Sequence, residues 1–432
     1  MKRLLEFKAR ETDEREIFHM KIMSDKLLFN TDKLHSTVRS QCEGVGVRVK
    51  KNKKIGFASS TIFTDEVIEK ALENAEYGSV ADFSFASESQ SFSGEDYIDE
   101  YIKNINTDCL IDKGNSIIRE IKSFNKNISV NLTFNKKQQD INLVTSRGFS
   151  GSYRQYIYKV EIATEITRKN DIFVIERTCS NEKEDRLVKE LLVDIDKGMN
   201  TETIETGKYT LLFSPYVAEY MLETFIRGIY GNVITRNISP MGSKLNEQIF
   251  NNRINIYDDG THMGRTGHIP FDDEGVRSQK TMLVEKGILK NFLLDLRTAG
   301  KLNMAPTGNG LRTFAEEIRG YENPPHPALR TVIMEPGHME SETILSNIES
   351  GLFIKDTTNL HGGRISGDLS GLILLGYKIK NGKITGRIKN ANFTGNLYNL
   401  LSNNLLEISS DTIYSGSYKV PWLLFRDIDI TC

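Results

Sequence analysis

The chain has 432 residues, more than one ordinary hydrophobic core accommodates, so two domains are expected. Hydrophobic residues make up 38% of it, enough for globular folding. Fifty-six Lys and Arg stand against 58 Asp and Glu, a net charge of −2, which excludes the basic excess of a nucleic-acid binder. No apolar run approaches the roughly 20 residues that span a bilayer. The opening MKRLLEFKARETDERE holds no apolar stretch of secretory type, and Cys42, Cys109, Cys179 and Cys432 form no CxxC pair. Free thiols and a cytoplasmic protein are therefore expected, with no nucleic-acid or membrane partner.

Residues 1–40 are mixed and charged and carry no clear periodicity. Val45, Val47 and Val49 alternate with small or polar residues, and Ile55 and Phe57 resume the pattern after Lys51-Asn52-Lys53. This predicts a β-hairpin with one buried face, its Lys50, Lys51, Lys53 and Lys54 solvated at the tip. Gly44 and Gly46 open no dinucleotide fingerprint, since a third glycine and a following helix are missing. Thr64 is placed to cap a helix to Ala75, with Val67, Ile68, Ala71, Leu72 and Ala75 on one face. Residues 79–100 look like an irregular connector, and a second helix is expected over 112–124. Four strand-like runs, 128–134, 140–145, 156–167 and 171–179, predict an antiparallel meander. Asn181 and Glu184 have the spacing of a capping box before a helix burying Leu187, Val188, Leu191, Leu192 and Ile195. The polar stretch 198–208 marks the boundary between domains, 1–205 and 206–432.

The second half opens with a strand at 209–213 and a helix over 215–230. Pro215 suits its first turn, and Glu223 and Arg227 are spaced to pair. Later segments read as strands at 330–334, 351–355, 371–379, 383–388 and 422–430. A helix over 341–350 interrupts them, ending at Gly351. The balance predicts an α+β protein: amino-terminal helices on an antiparallel sheet, then a carboxy-terminal domain that is mostly β-sheet.

Polar chemistry concentrates in one place. Asp258, Asp259, His262, His268, Asp272, Asp273 and Glu274 fall within seventeen residues, punctuated by Gly260, Gly264 and Gly267. Two apolar runs, 281–284 and 288–294, follow across a Glu285-Lys286-Gly287 turn. Two readings of this acidic loop stand. It is a carboxylate–histidine site for a divalent metal or acid–base chemistry, or its carboxylates cap backbone N–H groups in turns. Elsewhere GxSxG is absent, and Gly362, Gly363, Gly367 and Gly371 near His361 lack the GK[ST] of a P-loop. They read as a sharp turn where backbones pack closely.

A set of ordered words resembles the TldD/PmbA family, once labelled modulators of DNA gyrase. They are GVGVRV (44–49), IGFASS (55–60), SPMGSKLNEQIF (239–250), the DDG at Asp258 and PFDDEGV (270–276). TMLVEKGILKNFLLD (281–295), TGN at Thr307, MEPG (334–337), IESGLFI (348–354), TGNL (394–397) and VPWLLFRDIDI complete the set. The resemblance is to the TldE (PmbA) branch in particular. It implies a PmbA/TldD-like fold. It also implies a heterodimeric metallopeptidase that acts on unfolded or short peptides, in which TldD-type chains carry a zinc-binding HExxxH on the helix corresponding to 215–230. Here that helix reads PYVAEYMLETFIRGIY, and no His occurs between His35 and His262. Two imidazoles on one helical face and a Glu base are what such a site needs. Glu219 and Glu223 without them read as a solvated face, and nothing matches the family's carboxy-terminal Cys ligand. The expectation is a non-catalytic TldE-like subunit with no catalytic or metal-binding residue of its own. Zinc is expected in a TldD-type partner, and peptide substrate adds along a sheet edge. The alternatives are a stand-alone metal-dependent hydrolase using the 258–274 loop, and a self-associating scaffold that binds peptide without catalysis.

Overall fold

A computed structural model describes residues 14–88, 100–168, 171–314, 318–358 and 365–432. It is an α+β molecule of two domains with largely antiparallel sheets. The first sheet has the order β3-β2-β1-β4-β5-β6. Its strands are β1 (Glu14–Asn30), β2 (Lys33–Lys51), β3 (Lys54–Ser60), β4 (Ile128–Thr145), β5 (Ser150–Arg168) and β6 (Asp171–Ser180). Helices α1 (Asp65–Glu76), α2 (Glu100–Asn104), α3 (Thr107–Phe124) and α4 (Asp185–Gly198) accompany it. Ile17, Val47 and Val49 pack under α1, and Leu27, Phe29 and Leu132 share a core with α3 and α4. The predicted β2–β3 hairpin is present, with Asn52 and Lys53 at φ 49° and 60° as its tight turn requires.

Several expectations are corrected here. Of the mixed, charged start, residues 1–13 lie outside the described residues, and from residue 14 it is a pair of long strands, β1 and β2. Residues 33–43 of β2 are nearly all exposed, so burial prints no alternation there, and pairing with β1 alone holds them. The runs 128–134 and 140–145 are one strand, because β1 pairs straight through the polar Lys136, Lys137 and Gln138. Helix α3 begins five residues early, where the Asn106 side chain accepts from Cys109 N at 2.8 Å. The capping box is not formed. Asn181, at φ 52°, accepts from Tyr158 N instead, and Glu184 pairs with Lys113.

The second sheet begins with β7 (Gly207–Phe213), followed by α5 (Pro215–Gly228) and α6 (Gly231–Ile234). Strands β8 (Ile256–Asp259), β9 (Lys280–Glu285) and β10 (Ile288–Leu289) form one edge, and α7 (Leu296–Leu302) follows. The predicted hairpin turn holds, with Lys286 and Gly287 at φ 47° and 77°, though strand pairing stops at Leu289. Short ribbons β11 (Gly310–Leu311), β12 (Thr313–Phe314), β13 (Ile318–Arg319) and β14 (His326–Pro327) lead to β15 (Val332–Met334). Helix α8 (Ser341–Ser346) ends before Gly351, which lies inside β16 (Ser350–Thr358) rather than capping a helix. Then come β17 (Asp368–Lys380), β18 (Lys383–Ile388), β19 (Asn392–Asn396), β20 (Leu405–Ser415) and β21 (Tyr418–Thr431); β19 and β20 were not read from sequence.

The pairings β7–β16–β17–β19–β21–β7 return on themselves, so this part of the sheet closes into a ring. Phe213 lies 5.1 Å from Phe393 and 5.4 Å from Phe425, centroid to centroid, and all three are fully buried. Beneath them α5 buries Val217, Met221, Leu222, Phe225 and Ile226. Each such side chain contributes about 1.5–3 kcal/mol of transfer free energy. Among the described residues, no helix is long and apolar enough to cross a membrane.

Candidate functional site

The acidic loop joins β8 to β9, and its carboxylates face backbone donors. Asp258 accepts from Asn309 Nδ2 at 2.7 Å and from Arg330 N at 2.8 Å. Asp259 accepts from Thr261 N and Oγ1 at 2.9 and 2.6 Å. Asp272 takes three N–H groups: Glu274 at 3.0 Å, Val276 at 2.9 Å and Gly310 at 2.8 Å. Asp273 accepts from Arg312 N at 2.7 Å. The chain bends so tightly because Gly275 sits at φ 82° and Gly267 leaves room for Arg330; a Cβ at Gly267 would lie 2.5 Å from the Arg330 carbonyl. The Arg330 guanidinium donates in turn to Gly267 O, Gly308 O and Ser278 Oγ.

Glu274 links the loop to the first sheet. Its carboxylate accepts from Arg48 Nη1 at 2.6 Å and from Leu296 N at 2.7 Å. Arg48 also pairs with Glu16, and Glu16 accepts from Arg312 Nη2 at 2.7 Å. All four side chains are at most 4% exposed. The guanidiniums lie against aromatic rings: Arg48 is 5.0 Å from the Phe85 centroid, and Arg312 is 4.7 Å from that of Phe18. Glu16, Asp272, Asp273, Glu274 and Asp295 outnumber Arg48, Arg312 and Arg330 in this dry region. Burial accordingly pushes Asp272 up to about 7 and Glu274 up to about 8. Burial lowers Arg312 to about 10. The same burial opposes the charge on Arg48, but Glu16 and Glu274 more than reverse it. This network welds two parts of the chain together and presents no exposed nucleophile.

The two histidines have different surroundings, although Asp259 acts on both. His262 is hydrogen-bonded through Nε2 to the Tyr414 hydroxyl, and its Nδ1 is 4.0 Å from Asp259 Oδ2. His268 packs near Arg330. Burial lowers the pKa of both and so favours their neutral forms. Among the described residues, no three His, Cys, Asp or Glu side chains are grouped as metal ligands. The geometry of 258–274 thus gives the metal-hydrolase reading no ligand set. Cys179 is buried, which raises its thiol to about 12, and the other three cysteines are exposed. His361, Gly362 and Gly363 lie outside the described residues.

Helix α5 starts at Ser214, whose hydroxyl accepts from Val217 N at 3.4 Å. Its outer face carries Tyr220 and the expected Glu223–Arg227 pair, at 2.5 Å. For zinc to bind as HExxxH around Glu223, imidazoles would have to stand at 222 and 227. Leu222 is fully buried in the core, and Arg227 is held by Glu223 itself. Around Glu219 the positions are Ala218 and Glu223. The residues present on α5 do not fit zinc.

Sequence reasoning missed Glu16, Arg48, Arg312, Arg265 and Tyr414. These are single polar residues in strands and loops, and no local spacing marks them.

Residues 206–432 match the PmbA/TldA metallopeptidase C-terminal domain, and residues 16–77 match PmbA/TldA metallopeptidase domain 1. A protein of Methanocaldococcus jannaschii described as uncharacterized is 25% identical over 437 residues, covering 99% of this chain and 98% of its own. A metalloprotease of the same organism is 24% identical over 385 residues, covering 83% and 81%. The crystal structure of TldE from Thermococcus kodakarensis superimposes with a TM-score of 0.87 at 19% identity, covering 100% of both chains. That last likeness is one of fold.

Proposed function

The chain belongs to the TldD/PmbA family of metallopeptidases, and we propose that it acts as a TldE-like subunit without a catalytic zinc site of its own. Its partner would be a TldD-type chain that carries the zinc, and the substrates would be unfolded or short peptides. One observation carries this reading. The helix where zinc-bearing relatives are expected to place HExxxH has a core leucine, Leu222, and an ion-paired Arg227 at the two imidazole positions. A chain that keeps the scaffold and lacks the ligands is suited to wall a peptide chamber and to buttress the partner's site.

The test is to purify the chain alone and together with a TldD-type partner, then follow cleavage of an unstructured peptide. Cleavage and stoichiometric zinc are expected only in the mixture. An isolated chain that cleaves as fast as the mixture would overturn the proposal.

A further inference from the structure

One face of the second sheet gathers cations onto phenol rings. Tyr414 stands opposite Lys419 in the β20–β21 register, Lys419 beside Ile333, and Ile333 opposite Tyr257. Residues opposite one another across strands share a face. The Arg265 guanidinium lies 3.8 Å from the Tyr414 ring centroid and the Lys419 ammonium 5.3 Å from it. The Lys280 ammonium is 3.5 Å from the Tyr257 centroid. His262 joins through its hydrogen bond to the Tyr414 hydroxyl.

Arg265 is the unusual member. It is 9% exposed, yet among the described residues its N–H groups reach only the carbonyls of Gly264 and Ser180, all at 3.3 Å. Among the described residues, no carboxylate forms an ion pair with it. The acids that act on it or on His262 are already engaged: Asp259 holds Thr261, and Glu182 pairs with Arg186 at 2.6 Å. Taking a guanidinium out of water without a carboxylate in direct contact is unfavourable. An anion arriving from solution would supply that charge and find the Lys419 ammonium beside the same ring. The position also matters. The exposed Gly416 turn after Tyr414 comes near the Glu219 side chain of α5, whose Oε1 would lie 3.2 Å from a Cβ at Gly416.

We propose that Arg265 and Lys419, which both lie against the Tyr414 ring, bind a carboxylate of an extended peptide. That the ligand is a peptide rests on the function proposed above; that it is an anion rests on the charges at this site. The carboxylate comes from the peptide's carboxy terminus or from an acidic side chain, and both present the same two oxygens to the guanidinium.

Binding of fluorescent unstructured peptides to the full chain tests this without requiring cleavage. Three peptides are compared: a free carboxy terminus, its amide, and the amide with one internal Glu. The free acid, the Glu peptide or both should bind about ten- to a hundredfold more tightly than the plain amide, the range for a charge-assisted contact. Which of the two does so identifies the source. Arg265→Gln should abolish the difference, and Lys419→Met, at a half-buried position, should reduce it while leaving the far-ultraviolet circular dichroism unchanged. Equal binding of all three peptides, undetectable binding of all, or discrimination that survives both substitutions overturns the proposal. Cleavage by the reconstituted pair is measured in parallel. Cleavage without carboxylate preference defeats this site and leaves the subunit reading standing. Discrimination by a chain that supports no cleavage does the reverse.

Discussion

Asp272 shows how much one carboxylate can hold. It is fully buried, and its two oxygens satisfy the backbone N–H groups of Glu274, Val276 and Gly310. Asp272→Ala strands three buried donors, each costing about 1–3 kcal/mol. The melting temperature should fall steeply, and Asp272→Asn, which retains an acceptor oxygen, should fall less. If Asp272→Ala melts like the parent while a reconstituted complex loses peptidase activity, the loop belongs to the peptide chamber instead. The pH dependence follows from the same burial. Burial pushes Asp272 and Glu274 well above their ordinary values, toward about 7 and about 8. The folded state therefore holds protons that the unfolded chain has released. The stability this contributes is complete below about pH 4 and is lost as pH rises through 7 to 8. Scanning calorimetry from pH 5 to 9 should show the parent declining more steeply than Glu274→Gln. Equal slopes would show that Glu274 carries no such proton.

At the scale of elements, α5 decides the functional reading. Its buried face is continuous through Leu222, whereas the Glu223–Arg227 pair is about one-third exposed and contributes only about 0.3–0.5 kcal/mol. Leu222→His with Arg227→His would write HExxxH into the helix. The imidazole at 222 would enter the core beside Phe225 and Met221 and leave part of the leucine volume empty. A loss of roughly 2–5 kcal/mol is expected, the range for truncating a core leucine, with no stoichiometric zinc gained. Denaturant melts and elemental analysis check both halves. A stable, zinc-loaded double variant would mean that α5 lies closer to a metal site than its packing indicates.

Across the whole molecule, ion networks among the described residues bridge the sheets at three places, one of them where Arg387 on β18 pairs with Asp171 on β6. Glu16 and Arg48 of the first sheet meet Glu274 and Arg312 of the second half. Arg177 on β6 meets Asp194 on α4 at 2.7 Å and Asp356 on β16 at 3.1 Å. A shared apolar core, with Leu375 and Tyr377 beside Ile162 and Leu191, lies near the Arg177 network. Removing one partner of a buried pair leaves the other charge unneutralised, at about 3–5 kcal/mol. Arg177→Ala should therefore lower stability by that order and separate the urea unfolding of the two halves. A single unshifted transition would show that the Arg177 network does not couple the two halves.

The amino-acid sequence by itself determined the α+β class, the β2–β3 hairpin, α1, α5 and the hairpin after the acidic loop. These have strong local signals: alternating valines, an apolar face at helical spacing, and turn residues able to take positive φ. It also carried the family resemblance and the missing imidazoles on α5. Tertiary structure decided the rest. Residues 33–43 of β2 and the middle of β4 are polar stretches whose template is the neighbouring strand, so no periodicity announces them. The closed ring, β19 and β20 depend on pairings between residues far apart in the chain. Asp258, Asp272 and Glu274 read as a cluster in sequence, but what each carboxylate does is set by Asn309, Gly310, Arg330 and Arg48, which only the fold brings within 3 Å. Hydrogen bonds and ion pairs act over a few ångströms in space, and sequence spacing conveys that distance only within a turn or a helix.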